Sequence, residues 1–269
     1  MNNNINISYI DGIRFHRALA SGIHNVISRQ EYLNKINVFP VPDSDTGTNM
    51  AFTLNAVLNG TSTKVCNSIS DMLFTIADSA LDGARGNSGA ILAQFFQGMS
   101  DGCKNSTKMT PEEFAQAIKI GSEYAREALG EPREGTILTI LTDFSNHLIM
   151  EIKNGKTDFL ELFNSAVKVS EISLKNTPNQ LKVLKKAGVV DAGAQGFVDL
   201  LHGIQKFIED GNIKKLDFTN VLKNTTHSDD DVMSEATDLT YRYCTECLIL
   251  GKNIDRKNLR SELKNFGNS

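Results

Sequence analysis

Asp43 and Asp45 stand one residue apart in the run Asn37-Val38-Phe39-Pro40-Val41-Pro42-Asp43-Ser44-Asp45-Thr46-Gly47-Thr48-Asn49-Met50. Carboxylates this close repel unless something cationic lies between them, and hard oxygen donors on a held loop suit Mg²⁺. Pro40 and Pro42 fix φ at their own positions and push Phe39 and Val41 toward extended backbone, so the approach to the acids is stiff and non-helical. The same residue types also build ordinary polar turns, and alone the run reads either way. An EF-hand is excluded. Counted from Asp43, Gly47 falls at position five instead of six, and position twelve is Leu54 instead of a bidentate Glu.

Three further stretches carry candidate chemistry, each a glycine-containing turn that feeds a helix. They are Asp82-Gly83-Ala84-Arg85-Gly86-Asn87-Ser88-Gly89, then Pro132-Arg133-Glu134-Gly135-Thr136, then Val189-Val190-Asp191-Ala192-Gly193-Ala194-Gln195-Gly196. Glycines let backbone approach a ligand closely, and the free N–H groups and dipole of a helix start favour an anion such as phosphate. Arg85 and the Ser88 hydroxyl add a charge and a donor at the first turn. The first turn lacks the Gly-Lys-Ser/Thr ending of a P-loop, and any one turn reads equally well as a tight connection between helices. Three such turns beside a rigid acidic loop are harder to assign to connection alone.

Amphipathic helices must position these turns. Residues 11–34 predict a first helix, with Phe15, Leu19, Ile23 and Val26 on one stripe. A second starts near Thr48 and stops at Gly60, and a third is capped by Ser70-Asp71 and buries Leu73, Ile76, Ala77, Ala80 and Leu81. The next buries Ile91, Leu92, Phe95, Phe96 and Met99. Thr110-Pro111-Glu112-Glu113 reads as a capping box opening a structural helix that buries Phe114, Ala117, Ile118, Gly121 and Ala125. Ile137-Leu138-Thr139-Ile140-Leu141 has the β-branched content of a strand, but its neighbours are helical and it is read as helix. Thr157 to Lys175 forms another helix, Thr177-Pro178 opens a shorter one ended by Gly188, and a last helix buries Phe197, Leu200, Leu201, Ile204 and Ile208.

Composition sets the frame. The chain has 269 residues, 40% of them hydrophobic, and a formal charge of -4, with no basic stripe for a polyanion partner. No apolar run reaches the ~18 residues of a membrane helix, and the start MNNNINIS does not read as a signal peptide. Cys66, Cys103, Cys244 and Cys247 make no disulfide framework, which places the protein in a reducing cytoplasm. Cys244 and Cys247 have CxxC spacing without a second pair and read as buried small hydrophobes. The five histidines fall singly, and none forms a ligand cluster.

Residues 1–210 thus read as one helical domain, followed by an acidic linker over 211–237 that contains Asp229-Asp230-Asp231. Leu239 to Ile249 predicts a strand and Ile254 to Phe266 a helix. One strand and one helix bury no core, so residues 238–269 are expected to begin a second, α/β domain that continues in a longer protein.

The segments NVFPVPDSDTGTNM, GARGNSGAILAQ, REGTILT and VVDAGAQG, in this order over residues 37–196, resemble the nucleotide-binding domain shared by the L subunit of dihydroxyacetone kinase and the kinase subunit of bacterial fatty acid kinase. The fatty-acid branch is the more similar, and YCTECLI at 243–249 resembles the start of its middle domain. The resemblance implies an all-α fold, an eight-helix barrel of antiparallel amphipathic helices with ATP and two Mg²⁺ at one end. It implies that Asp43 and Asp45 ligate the metal and serve catalysis, with Asn37 where the dihydroxyacetone-kinase branch has another aspartate. Thr46, Gly47, Thr48 and Asn49 would border the metal-bound phosphates. Gly86, Asn87, Ser88 and Gly89 would cradle phosphates, with Gly135 and Thr136 closing over them. Asp191 and Gly193 would line the nucleoside end. Two residues depart from the pattern: Ser44 and Ala194 each stand where glycine is usual.

Phosphoryl transfer needs in-line positioning and positive charge around the phosphoryl oxygens. A fatty-acid carboxylate is already ionised at neutral pH, which fits an acidic loop without His or Lys. The sequence shows no apolar groove for an acyl tail. By resemblance, a DegV-type lipid-binding partner presents the acyl chain, the product is an acyl phosphate for phospholipid synthesis, and a homodimer through a further C-terminal part is open. The alternatives are a dihydroxyacetone-type kinase subunit and a non-catalytic nucleotide-binding module.

Overall fold

The computed structural model describes residues 7–210 and 254–263. Two compact units divide between residues 215 and 216. The first unit is helical: α1 Gly12–Ser28, α2 Gln30–Lys35, α3 Thr46–Thr61, α4 Ile69–Asp82, α5 Gly86–Asp101, α6 Pro111–Glu127, α7 Ile137–Lys153, α8 Phe159–Gln180, α9 Lys182–Ala187 and α10 Ala192–Asp210. Strands β1 (Ile10–Asp11) and β2 (Lys108–Met109) pair antiparallel, Ile10 opposite Met109. In the second unit the described residues form α11, Arg256–Leu263. The acidic linker and the strand expected over 239–249 lie outside the described residues. No helix among the described residues is long and apolar enough to cross a membrane.

The all-α expectation holds. Neighbours follow chain order from α3 through α8; α10 then packs on α8 and α1, and α1 returns to α3. At the centre, Phe197 of α10 meets Phe95 of α5 and Phe144 of α7 edge-on, with centroids 5.8 and 5.9 Å apart. Such pairs add about 0.5–1.5 kcal/mol each beyond their buried area. Two seams bring backbones into contact. A Cβ on Gly98 of α5 would lie 2.7 Å from Gly121 Cα of α6, and one on Gly203 of α10 would lie 2.7 Å from Gly22 Cα of α1.

Four local readings change. The helix expected over 11–34 breaks at Arg29, whose φ of -108° and ψ of 9° separate α1 from α2 while its guanidinium pairs with the buried Asp199 at 2.7 Å. α3 begins at Thr46 and runs through Gly60 to Thr61, and Ser79 of α4 occupies the place a side chain at residue 60 would take. Ser68, not Ser70, caps α4: its hydroxyl accepts from the Asp71 amide at 3.3 Å; Leu81, expected on the buried stripe, lies in the last turn and is 42% exposed. α8 continues through Pro178 to Gln180 instead of restarting there. Proline cannot donate to the carbonyl four residues back. The Thr177 hydroxyl supplies that bond instead, donating to Leu174 O at 2.8 Å.

An apolar recess, absent from the sequence reading, is present. A cavity of about 460 Å³ is lined by Tyr9, Phe15, Phe114, Phe159, Phe163 and Phe207. These residues come from five segments of the chain, which is why no single stretch announces it. Phe207 lies fifteen residues along α10 from Ala192, and at 1.5 Å per residue this places the recess about 22 Å from the start of that helix.

Candidate functional site: an acidic loop and two helix starts

The acidic loop joins α2 to α3. Asn37 is 4% exposed, and its Nδ2 donates to Asp43 Oδ1 at 2.6 Å. Its own Oδ1 is buried without a hydrogen-bond partner among the described residues. Ser44 has φ of 58°, the left-handed region that its Cβ makes costly by about 1–2 kcal/mol. The Asp45 carboxyl is held above the usual carboxylate range, first by burial and then by contact with the Asp43 carboxyl. The Asn49 Nδ2 opposes this by donating to Asp45 Oδ2 at 2.8 Å.

Two crowded carboxylates and an orphaned amide oxygen are all hard oxygen donors, so the set fits Mg²⁺. Among the described residues no three His, Cys, Asp or Glu side chains gather to hold a metal. Mg²⁺ normally takes one or two carboxylates and completes its shell with phosphate and water, which this loop can accommodate.

Five long helices of the first unit, α1, α4, α6, α7 and α8, begin with a side-chain cap, from Asp11, Ser68, Thr110, Thr136 and Asp158. The Thr110–Glu113 capping box is complete in both directions. α3 and α5 have no side-chain cap. In α3 the Thr48 amide is taken by Asn34 Oδ1, whereas the first-turn amides of α5 are left for another acceptor. These two starts also meet. Gly86, with φ of 56°, presses against the Asn49 amide where a Cβ would collide. A Cβ on Gly89 would fall 2.5 Å from Thr53 Oγ1, the atom that accepts from Arg85 N at 3.3 Å. Asn87 is exposed and Ser88 half-buried at the same turn.

Other predicted residues are engaged by protein. Gly47 lies against the Gln30 carbonyl and Asn34 side chain of α2. Thr48 N donates to Asn34 Oδ1 at 3.0 Å, and Thr48 Oγ1 accepts from Asn34 Nδ2 at 2.9 Å and Gln30 Nε2 at 3.1 Å. Thr46 is buried. Gln30 and Asn34 thus position the loop, a role without a sequence signal because they sit on a six-residue helix.

Gly135, Thr136, Asp191 and Gly193 form a second group. Gly135, at φ of 79°, is enclosed by Thr177, Gln180 and Leu181. Asp191 is 5% exposed and its Oδ2 accepts from Ala194 N at 2.8 Å and Ile137 N at 3.1 Å, capping α10 and joining it to α7. Burial pushes its carboxyl up to about 6 against those amides. Ala194 is fully buried beside it, so the methyl is accommodated. Gly196, in the first turn of α10, packs on Met50 in the first turn of α3. That contact sets the two groups at one end of the helices.

The sequence model of the DAK2 domain matches residues 40–206, from Pro40 of the acidic loop to Lys206 of α10. The chain belongs to the DAK2 domain family. This DAK2 domain is 35% identical to an uncharacterised protein of Staphylococcus saprophyticus over 271 residues, covering 98% of the chain and 49% of that protein. An uncharacterised protein of Staphylococcus aureus is 33% identical over 273 residues, again at 98% and 49% coverage. The chain spans about half the length of these curated relatives. Among solved structures, the dihydroxyacetone kinase of C. freundii in its native form aligns with a TM-score of 0.54 at 16% identity, covering 71% of this chain and 33% of that one. The same kinase in complex with AMP-PNP and Mg²⁺ aligns at 0.55 and 15% identity, covering 77% and 36%. These likenesses concern the fold.

Proposed function

We propose that this DAK2 domain is the nucleotide-binding part of a kinase that transfers the terminal phosphoryl group of ATP to a fatty-acid carboxylate. The observation that carries the reading is the meeting of the α3 start with the uncapped start of α5, beside the Asp43–Asp45 pair. Free amides and helix dipoles favour phosphate, and paired carboxylates favour the Mg²⁺ that accompanies it. Asp43, Asp45 and the Asn37 oxygen would hold Mg²⁺, which supplies positive charge to the phosphoryl oxygens. Gly86 to Gly89 would take the phosphates, while Asp191 sets the starts of α7 and α10 where the rest of the nucleotide lies. The AMP-PNP and Mg²⁺ held by the C. freundii kinase of similar fold support the same cofactor pair here.

In the reaction a carboxylate oxygen of the acid attacks the terminal phosphorus, the bond to the bridging oxygen breaks, and ADP leaves with that electron pair. An ionised acid needs no proton removed, so the lack of His and Lys in the loop is no defect. The apolar recess lies about 22 Å along α10 from the acidic loop's end of the fold and is not part of the phosphate-facing site. A separate DegV-type carrier that brings the acyl chain fits this separation, with acyl phosphate passing to phospholipid synthesis in the cytoplasm.

A dihydroxyacetone-type reaction is the second reading, favoured by the fold of the C. freundii kinase. ATP consumption with a purified lipid-binding partner and fatty acid, set against dihydroxyacetone with its own partner subunit, separates the two. Acyl phosphate formed only in the first mixture is the expected result. Unchanged nucleotide affinity after replacing Asp43 and Asp45 with alanine would overturn both.

A further inference from the structure

We propose that Arg85 is the cationic contact for the outer phosphates of the nucleotide and that Phe52 positions it; this rests on the kinase reading above. Two carboxylates and a triphosphate concentrate negative charge at the α3–α5 junction, and residues 37–50 contain no Lys or Arg. Arg85 is the residue immediately before α5, in extended backbone with φ of -130° and ψ of 137°. Its amide donates to Thr53 Oγ1, which itself donates to Asn49 O at 2.9 Å, so the Arg85 backbone is fastened to α3.

The guanidinium is placed as well. Arg14, Arg29, Arg126 and Arg133 each pair with a carboxylate. Arg85 instead lies over the Phe52 ring, its central carbon 3.6 Å from the ring centroid. Stacking leaves the in-plane N–H donors open at the edge and neutralises no charge. Phe52 remains 41% exposed on α3, so the cation is held flat on an exposed ring with no carboxylate consuming its charge. The competing account is that the arginine stem simply covers an exposed ring.

Titration of Mg·ATP and AMP by calorimetry, on the wild-type chain and on Arg85→Gln, Phe52→Leu, Phe52→Trp and the Arg85→Gln/Phe52→Leu pair, tests this. Arg85→Gln weakens Mg·ATP by about ten- to a hundredfold, the worth of a charged hydrogen bond, and leaves AMP within about twofold. Phe52→Leu weakens Mg·ATP by about two- to fivefold, Phe52→Trp retains wild-type affinity, and Phe52→Leu has no further effect once Arg85 is gone. Full Mg·ATP affinity in Arg85→Gln, or a Phe52→Leu loss that persists in its background, overturns the assignment while leaving the kinase reading intact. Wild-type protein that binds no Mg·ATP overturns both.

Discussion

Asp191 Oδ2 accepts the Ile137 amide hydrogen at 3.1 Å, tying the first residue of α7 to the residue that precedes α10. The same atom takes the Ala194 amide at 2.8 Å, so one buried carboxylate organises two helix starts.

That carboxylate makes stability pH-dependent. Its folded-state pKa of about 6 lies above the ordinary 3.8. Its contribution is therefore full below the ordinary value and lost as pH rises through about 6. Asp191→Asn keeps an acceptor but has no proton to lose. The stability of wild type relative to the variant should fall by roughly 2 kcal/mol between pH 4 and pH 8. Urea denaturation at several pH values checks this, and a constant difference would refute it.

Asp43→Asn relieves the repulsion around Asp45. Without divalent metal the variant should be the more stable, by on the order of 1 kcal/mol. Added Mg·ATP should raise the wild-type melting temperature and leave that of the variant nearly unchanged, as read by thermal scanning.

Ser44→Gly removes a Cβ from a residue at φ of 58°. Glycine loses more freedom on folding, so the net gain is limited to about 1 kcal/mol. Denaturant midpoints should rise, and Ser44→Val should move them the other way.

Thr177 is fully buried; its hydroxyl donates to Leu174 O and accepts from Asp191 N at 3.2 Å. Thr177→Val leaves both groups unpaired and should cost about 2–4 kcal/mol, whereas Thr177→Ser keeps both bonds and costs less. Chemical denaturation of the two variants distinguishes them.

Helices with a regular apolar stripe were legible from the sequence. The stripe through Ile91, Leu92, Phe95, Phe96 and Met99 is buried as read, and so is the one through Phe114, Ala117, Ile118 and Ala125. The β-branched run at Ile137 is helical because Thr136 caps it and the surrounding helices bury it. What failed depended on contacts that residue type alone does not announce. Ser79 of α4 fills the place a side chain at Gly60 would take, and α8 passes Pro178 because the neighbouring threonine repairs the broken bond. Asp43, Asp45 and Gly86 to Gly89 were legible as candidates by residue type. That α3 and α5 begin without caps and touch through Asn49 is a property of the folded chain, as is the clamp of Gln30 and Asn34 on Thr48.

The glycine seam between α1 and α10 has a mechanical consequence. Ser21, Asn25 and Arg29, spaced by four along α1, bond to Gly203 O, Asp199 O and the Asp199 carboxylate of α10. With the backbones already touching at Gly22 and Gly203, these bonds fasten the two helices together as a single rod. Arg29, just past the end of α1, grips Asp199 in the middle of α10, and Phe15 and Phe207 reach the recess at the other end. Alanine at Gly203 would splay the rod and loosen both tips together.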